Sequence, residues 1–149
     1  MSEYLPHPQP LKNKRILIID DVLAPRKMLK RLLVQFGEME FEEVDNGIRA
    51  KEKLTLSPYD LVFCDIRLPD VNGLDILEWL RKTEGYNKSI PYVVISSDME
   101  KDQVIRAKAC GISGYLVKPF NFGDLYQTLS STFNWSQEIQ RFYEIRHGI

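Results

Sequence analysis

The sequence has no excess of positive charge: 20 Lys and Arg stand against 21 Asp and Glu, a formal net charge of −1. A nearly neutral chain sets up no global field to attract a polyanion, so direct nucleic-acid binding is not expected. No uninterrupted apolar run reaches the length of a membrane span, so insertion into a bilayer is not expected either. The first ten residues, MSEYLPHPQP, contain no apolar signal-peptide core. Cysteine is scarce. Cys64 and Cys110 lie far apart with no CxxC pattern or neighbouring histidines, which argues against a disulfide framework or a thiolate metal site. Both fall in apolar segments and read as small buried packing residues of a cytoplasmic protein.

What is present is enough for one ordinary domain. The chain has 149 residues, 44% hydrophobic and 28% charged, which is close to globular averages and long enough to bury a substantial core. Residues 1–12 hold three prolines and no periodicity, and are expected to form a loose arm. From there a strand-then-helix rhythm begins. Four short apolar runs, Ile16–Ile19, Leu61–Cys64, Tyr92–Ile95 and Tyr115–Val117, read as strands buried on both faces. Phe41–Val44 is a weaker fifth.

Helical patterns fill the intervals. In Pro25–Phe36 the residues Met28, Leu29, Leu32, Leu33 and Phe36 fall on one helical face, with Pro25 in the first turn and Gly37 as the stop. Ile48–Leu56 ends at Ser57-Pro58, and Leu74–Thr83 buries Leu74, Leu77 and Leu80. Ser97 followed by Glu100 predicts a capping box for a helix that Gly111 ends. Asn121 is placed to cap a last helix through Leu125 and Leu129. Arg26, Lys27, Lys30 and Arg31 read as a solvated face of the first helix. Strands alternating with helices predict an α/β fold with a doubly wound parallel sheet. Right-handed crossovers place helices on both of its faces. Ligands in such folds bind beyond the carboxyl ends of the strands.

The chemistry-bearing residues fall at those ends. Asp20 and Asp21 follow RILII, Asp65 ends LVFCD, Ser96 ends YVVIS and Lys118 ends YLVK. Three convergent carboxylates repel unless a cation joins them, and hard oxygen donors suit Mg²⁺ or Mn²⁺ rather than zinc. A carboxylate nucleophile beside a divalent ion, an ammonium and a hydroxyl has what phosphoryl transfer needs, namely alignment and charge neutralisation. Each residue alone has a bland reading as a cap or turn residue. The ordered set does not.

With these motifs the chain resembles the receiver domain of two-component response regulators, close in layout to the stand-alone chemotaxis regulator. The resemblance covers residues 13–134 and rests on Asp20-Asp21, DIRLPDVNG from Asp65 to Gly73, Ser96-Ser97, and GISGYLVKPF from Gly111 to Phe120. It implies a flavodoxin-like sheet of strand order 2-1-3-4-5. It implies Asp65 as phosphoacceptor, with Asp20, Asp21, Asp65 and the backbone carbonyl of Arg67 around Mg²⁺. Ser96, Tyr115 and Lys118 match the phosphate-binding and switch positions, and Lys118-Pro119 the place of a cis peptide. Arg67 and Asp98 match positions that tune phosphoryl lifetime, and Ser97 matches a small residue beside the acceptor. Val22, Leu23, Ala24 and Pro25 match the patch on which a phosphodonor docks.

The implied partners are a sensor histidine kinase or phosphotransfer domain, and a downstream protein on the face of the fourth helix, fifth strand and fifth helix. The product is a signalling switch, not an enzyme with a separate substrate. A haloacid-dehalogenase-type phosphatase is the competing enzymatic reading. Its DxDx[TV] motif fails here because Val22 stands at the second acidic position. The chain could also be a receiver-like module that is not phosphorylated, or a receiver piece of a larger regulator.

Residues 135–149 extend past the resemblance. Trp135, Ile139, Phe142 and Tyr143 fall at helical spacing, and the segment is expected to be a helix. Three outcomes are open for it: packing back on the domain, forming a homodimer, or leading to a further domain. His147 has no assigned role.

Overall fold

The computed structural model describes residues 7–98 and 100–149. The alternation read from the sequence is realised as β1 (Arg15–Ile19), α1 (Leu23–Leu33), β2 (Glu40–Val44), α2 (Gly47–Leu56), β3 (Leu61–Asp65), α3 (Gly73–Lys82), β4 (Tyr92–Ser96), α4 (Lys101–Ala109), β5 (Gly114–Val117), α5 (Phe122–Phe133) and α6 (Gln137–His147). A single 3₁₀ turn, Val34–Phe36, closes α1. All strand pairs are parallel, in the order β2-β1-β3-β4-β5. This is the five-stranded, doubly wound sheet expected, with the weak fifth candidate as β2 on one edge.

Successive strand residues point to opposite faces, so the sheet divides the core in two. Leu17, Ile19, Val62, Cys64, Tyr92 and Val94 pack under α2, α3 and α4. Ile16, Ile18, Phe63, Val93 and Ile95 pack under α1, α5 and α6. The three central strands are buried on both faces, as their unbroken apolar runs require. β5 departs from that expectation. It is an edge strand with Tyr115 and Val117 turned largely to solvent, and Leu116 alone is buried.

Two helix boundaries carry information. α3 starts at Asn72, whose side chain accepts from the Leu74 N–H, while Asp75 returns a bond to the Asn72 N–H. The Ser97–Glu100 capping box does not form. Glu100 itself is the N-cap of α4 and pairs reciprocally with Gln103. The reason lies one residue earlier: Ser96 Oγ bonds the backbone of Asp98, which holds this stretch in a turn and delays the helix.

Two segments left outside the domain by the sequence pattern pack against it. Residues 1–6 of the expected loose arm lie outside the described residues, but Leu11 is fully buried and its N–H bonds the Phe36 carbonyl. α6 folds back on the domain after Asn134 in a left-handed conformation (φ 50°) and an N-cap at Ser136. It buries Tyr143 completely among Phe36, Phe122, Tyr126 and Trp135, at ring-centroid distances of 5.0 to 6.2 Å. Of the three outcomes open for the extension, packing back on the domain is the one observed. No helix among the described residues is long and apolar enough to cross a membrane.

Candidate functional site

Parallel pairing sets the site. The register aligns Ile19 with Cys64, Asp65 with Ile95 and Ser96 with Val117. The residues at and just past those positions therefore meet at one edge: Asp20, Asp21, Asp65, Ser96 and Lys118. Carboxylate oxygens of Asp20, Asp21 and Asp65 lie within 4.8 Å of one another. Asp20, Asp65 and Ser96 are buried or nearly so, whereas Asp21 faces solvent.

Each of the two buried carboxylates is aimed by a neighbouring N–H. Val22 N–H donates to Asp20 Oδ1 at 2.9 Å, and Arg67 N–H donates to Asp65 Oδ1 at 2.9 Å. Their other oxygens accept from Lys118 Nζ, at 2.7 Å for Asp65 and 3.2 Å for Asp20. Lys118 is held in turn by its own N–H, which donates to the Ser96 carbonyl at 2.8 Å, and its peptide bond to Pro119 is cis. Behind Asp65 the chain is closely packed. A Cβ at Gly73 would stand 2.4 Å from the Asp65 carbonyl oxygen, so only glycine lets α3 begin so close to the acceptor.

The charges are unbalanced. Two carboxylates within 4.8 Å of each other repel by at least about 3.5 kcal/mol at an effective dielectric constant near 20, and the one ammonium in the cluster reaches only two of the three. Burial pushes the Asp20 carboxyl above its usual range, with the Asp65 charge adding to that and the Val22 hydrogen bond and Lys118 opposing it. For Lys118, burial lowers the ammonium pKa, but the bond to Asp65 and the fields of Asp20 and Asp65 outweigh it and the net shift is upward. An oxygen cluster with surplus negative charge, open to solvent on the Asp21 side, fits a hard divalent cation that keeps some of its water.

The other expected site residues fall into two groups. Ser96 and Tyr115 are on adjacent strands, but neither hydrogen-bonds a carboxylate of the cluster: Ser96 Oγ donates to the Asp98 carbonyl at 2.7 Å, and Tyr115 is exposed. Arg67 and Asp98 are exposed at the rim and form no ion pair with each other among the described residues. Val22 and Leu23 are each half exposed beside the acidic pair, with Ala24 exposed and Pro25 partly covered.

Arg26, which the sequence pattern placed on a solvated face, turns inward to the site. Its guanidinium Nη1 donates to the Asp20 backbone carbonyl and its Nε to Glu43 Oε1 at 3.1 Å, while Lys30 bonds Glu43 Oε2 at 2.8 Å. These two cations are partly covered and ion-paired, while Lys27 and Arg31 are exposed. A basic residue one turn into the helix that follows an acidic pair was the available signal, but its acceptor is a backbone atom and leaves no mark in the sequence.

Strand-end carboxylates with a lysine, on a 2-1-3-4-5 sheet, define a phosphoryl-accepting α/β domain. Comparison with known proteins agrees. Residues 16–130 match the response regulator receiver domain. The chain is 34% identical over 122 residues to the chemotaxis protein CheY-3 of Vibrio cholerae, covering 82% of this chain and 93% of that one. It is 32% identical over 119 residues to the chemotaxis protein CheY of Pseudomonas aeruginosa, covering 80% and 95%. The solved structure of the chemotaxis response regulator CheY4 of Vibrio cholerae superposes with a TM-score of 0.72 at 26% identity, covering 81% and 99%. The chain belongs to the response regulator receiver family: it is a two-component signalling protein that accepts a phosphoryl group, not an enzyme that turns over a separate substrate.

Proposed function

We propose that Asp65 is the phosphoacceptor of a Mg²⁺-assisted switch, with a histidine kinase or phosphotransfer domain as donor. The observation that carries this reading is the cluster of Asp20, Asp21 and Asp65, two of whose carboxylates, Asp20 and Asp65, are bridged by Lys118. Asp65 Oδ2, now bonded to Lys118, attacks the phosphorus of a phosphohistidine. The P–N bond breaks as the P–O bond forms, and the imidazole leaves with the electron pair. Lys118 stays within reach of the transferred oxygens, and the Arg67 N–H holds the second Asp65 oxygen in place. Mg²⁺, or Mn²⁺ in its stead, would be held by Asp20, Asp21, Asp65 and the Arg67 carbonyl, and supplies neutralisation of the developing phosphoryl charge.

The relay follows from the present positions of Ser96 and Tyr115. A phosphoryl oxygen competes with the Asp98 carbonyl for the Ser96 hydroxyl, and its withdrawal opens space for the outward Tyr115 ring. This alters the groove of about 500 Å³ lined by Tyr115, Val117, Pro119, Asp124, Gln127 and Thr128, where the downstream protein binds. Phosphorylation shifts this face only as far as it favours one state over the other. Val22, Leu23, Ala24 and Pro25 dock the donor, and the protein works in the cytoplasm, as a monomer or homodimer, without binding nucleic acid itself.

Intact-mass measurement after incubation with Mg²⁺ and acetyl phosphate tests the assignment. One phosphoryl increment is expected, prevented when Mg²⁺ is chelated beforehand and absent in Asp65→Ala. An increment that persists in Asp65→Ala refutes the assignment.

A further inference from the structure

The acidic pair is held from three sides: by β2, by its own turn and by α1. Asp20 N–H donates to the Val44 carbonyl at 3.1 Å, and the Asp20 side chain accepts from Val22 N–H. The third hold comes from α1, where Arg26 Nη1 reaches the Asp20 carbonyl at 2.5 Å. Because the peptide group is planar, fixing that carbonyl fixes the plane of the Asp20–Asp21 peptide and the direction in which Asp21 leaves it. Asp21 needs that constraint: its carboxylate is exposed and makes no hydrogen bond among the described residues, yet it stands in the cluster.

The guanidinium is itself fixed. Its Nε is tied to Glu43 on β2, and Lys30 holds the other Glu43 oxygen. Arg26 is only 15% exposed at its side chain. The fork uses two different nitrogens, one for the carboxylate and one for the carbonyl, which a lysine cannot reproduce. Glu43 also balances the guanidinium charge, so Arg26 acts on the backbone of the pair without occupying its carboxylates, which are left to Lys118 and a cation.

We propose that Arg26, braced by Glu43, is a positioning residue for the cation-binding carboxylates, setting the affinity for Mg²⁺ through the Asp20–Asp21 peptide. The proposal rests on the Mg²⁺ reading above. Its sign distinguishes it from simple electrostatics. Removing a cation near an acidic cluster raises cation affinity by Coulomb's law, whereas releasing the peptide lowers it.

The experiment is calorimetric titration of the full chain with Mg²⁺ at near-physiological salt, in wild type, Arg26→Met and Arg26→Lys, with thermal unfolding measured alongside. Arg26→Met is expected to weaken Mg²⁺ binding about tenfold, the lower range for losing a group that orients a metal ligand. Arg26→Lys keeps the charge and the fold but loses the fork, and is expected to fall between the two. Phosphorylation by acetyl phosphate should return to the wild-type rate once Mg²⁺ saturates each variant. Unchanged or tighter Mg²⁺ binding in Arg26→Lys or Arg26→Met overturns the proposal, as does a rate that stays low at saturation. If wild type binds no Mg²⁺, the metal reading fails and takes this one with it. If wild type binds and the variants match it, only the role of Arg26 fails.

Discussion

Replacing Tyr143 separates a docked α6 from one that merely lies nearby. The side chain is fully buried against Phe36, Phe122, Tyr126 and Trp135 of the domain. An aromatic of this size buries roughly 150–250 Å², and truncation of such a residue to alanine costs about 3–5 kcal/mol. The hydroxyl contributes much less. It lies 3.1 Å from both the Pro8 and Gln35 carbonyls, but it has one proton to donate, so Tyr143→Phe forfeits about one net hydrogen bond, or about 1 kcal/mol. The expected result is therefore a wide gap between the two substitutions. Urea unfolding followed by far-UV circular dichroism and by tryptophan emission reads it. With a slope of about 2 kcal/mol per M, Tyr143→Ala should lower the midpoint by about 2 M and Tyr143→Phe by about 0.5 M. An eleven-residue helix is marginal on its own in water, so Tyr143→Ala should also lose helical signal before the main transition. A midpoint for Tyr143→Ala within about 0.5 M of wild type would refute the docking of α6 as part of the cooperative core.

Further outcomes concern the rim, the thiols and the acid limb of stability. Arg67→Ala should shorten the life of the phosphorylated form, because a long cation two residues past the acceptor obstructs the attacking water; the measurement is phosphoryl decay by intact mass, and an unchanged rate refutes it. Native protein should expose one reactive thiol to a maleimide at about pH 8. Burial above all, with the Asp65 and Asp20 charges adding, pushes the Cys64 thiol up to about 12, while Cys110 is only partly covered; two thiols reacting alike without denaturant would contradict this. Glu42 is held below its ordinary value of 4.5 first by the Tyr59 hydroxyl, and Glu43 first by the Lys30 hydrogen bond. A depressed carboxyl stabilises the fold above the unfolded value and loses that contribution as pH falls through the folded value. Melting temperature should thus drop between about pH 5 and about pH 3, and Glu43→Gln should flatten the drop; parallel profiles would count against it.

The central strands and the site were legible because both write themselves into sequence as order. An apolar run ending in a carboxylate fixes a strand and the edge on which its last residue sits, and LVFCD and RILIIDD did so for Asp65 and Asp20. Features set by distant partners were not legible. β5 reads like its buried neighbours until the sheet order shows that nothing lies beyond it. Ser97 and Glu100 have capping-box spacing, but the Ser96 hydroxyl claims the Asp98 backbone first. Leu11 sits among prolines and owes its burial to Phe36. Arg26 acts on a carbonyl, which every residue has.

The helices are fastened to the sheet unequally, and this bears on how far a small chemical event can reach. α5 and α6 bury Leu125, Tyr126, Leu129 and Tyr143, whereas α4 buries only Ala107 among its nine residues and is otherwise held by Arg106 to Asp75 and Glu78 on α3. Exposed ion pairs are worth at most about 1 kcal/mol each, and an alanine methyl adds about as little. Swinging a population from one part in a hundred to ninety-nine takes about 5.5 kcal/mol of differential binding. A single new phosphoryl–serine hydrogen bond supplies only part of that. A helix with so shallow an anchorage lowers the sum to be met, so displacing α4 costs less than displacing α3, α5 or α6.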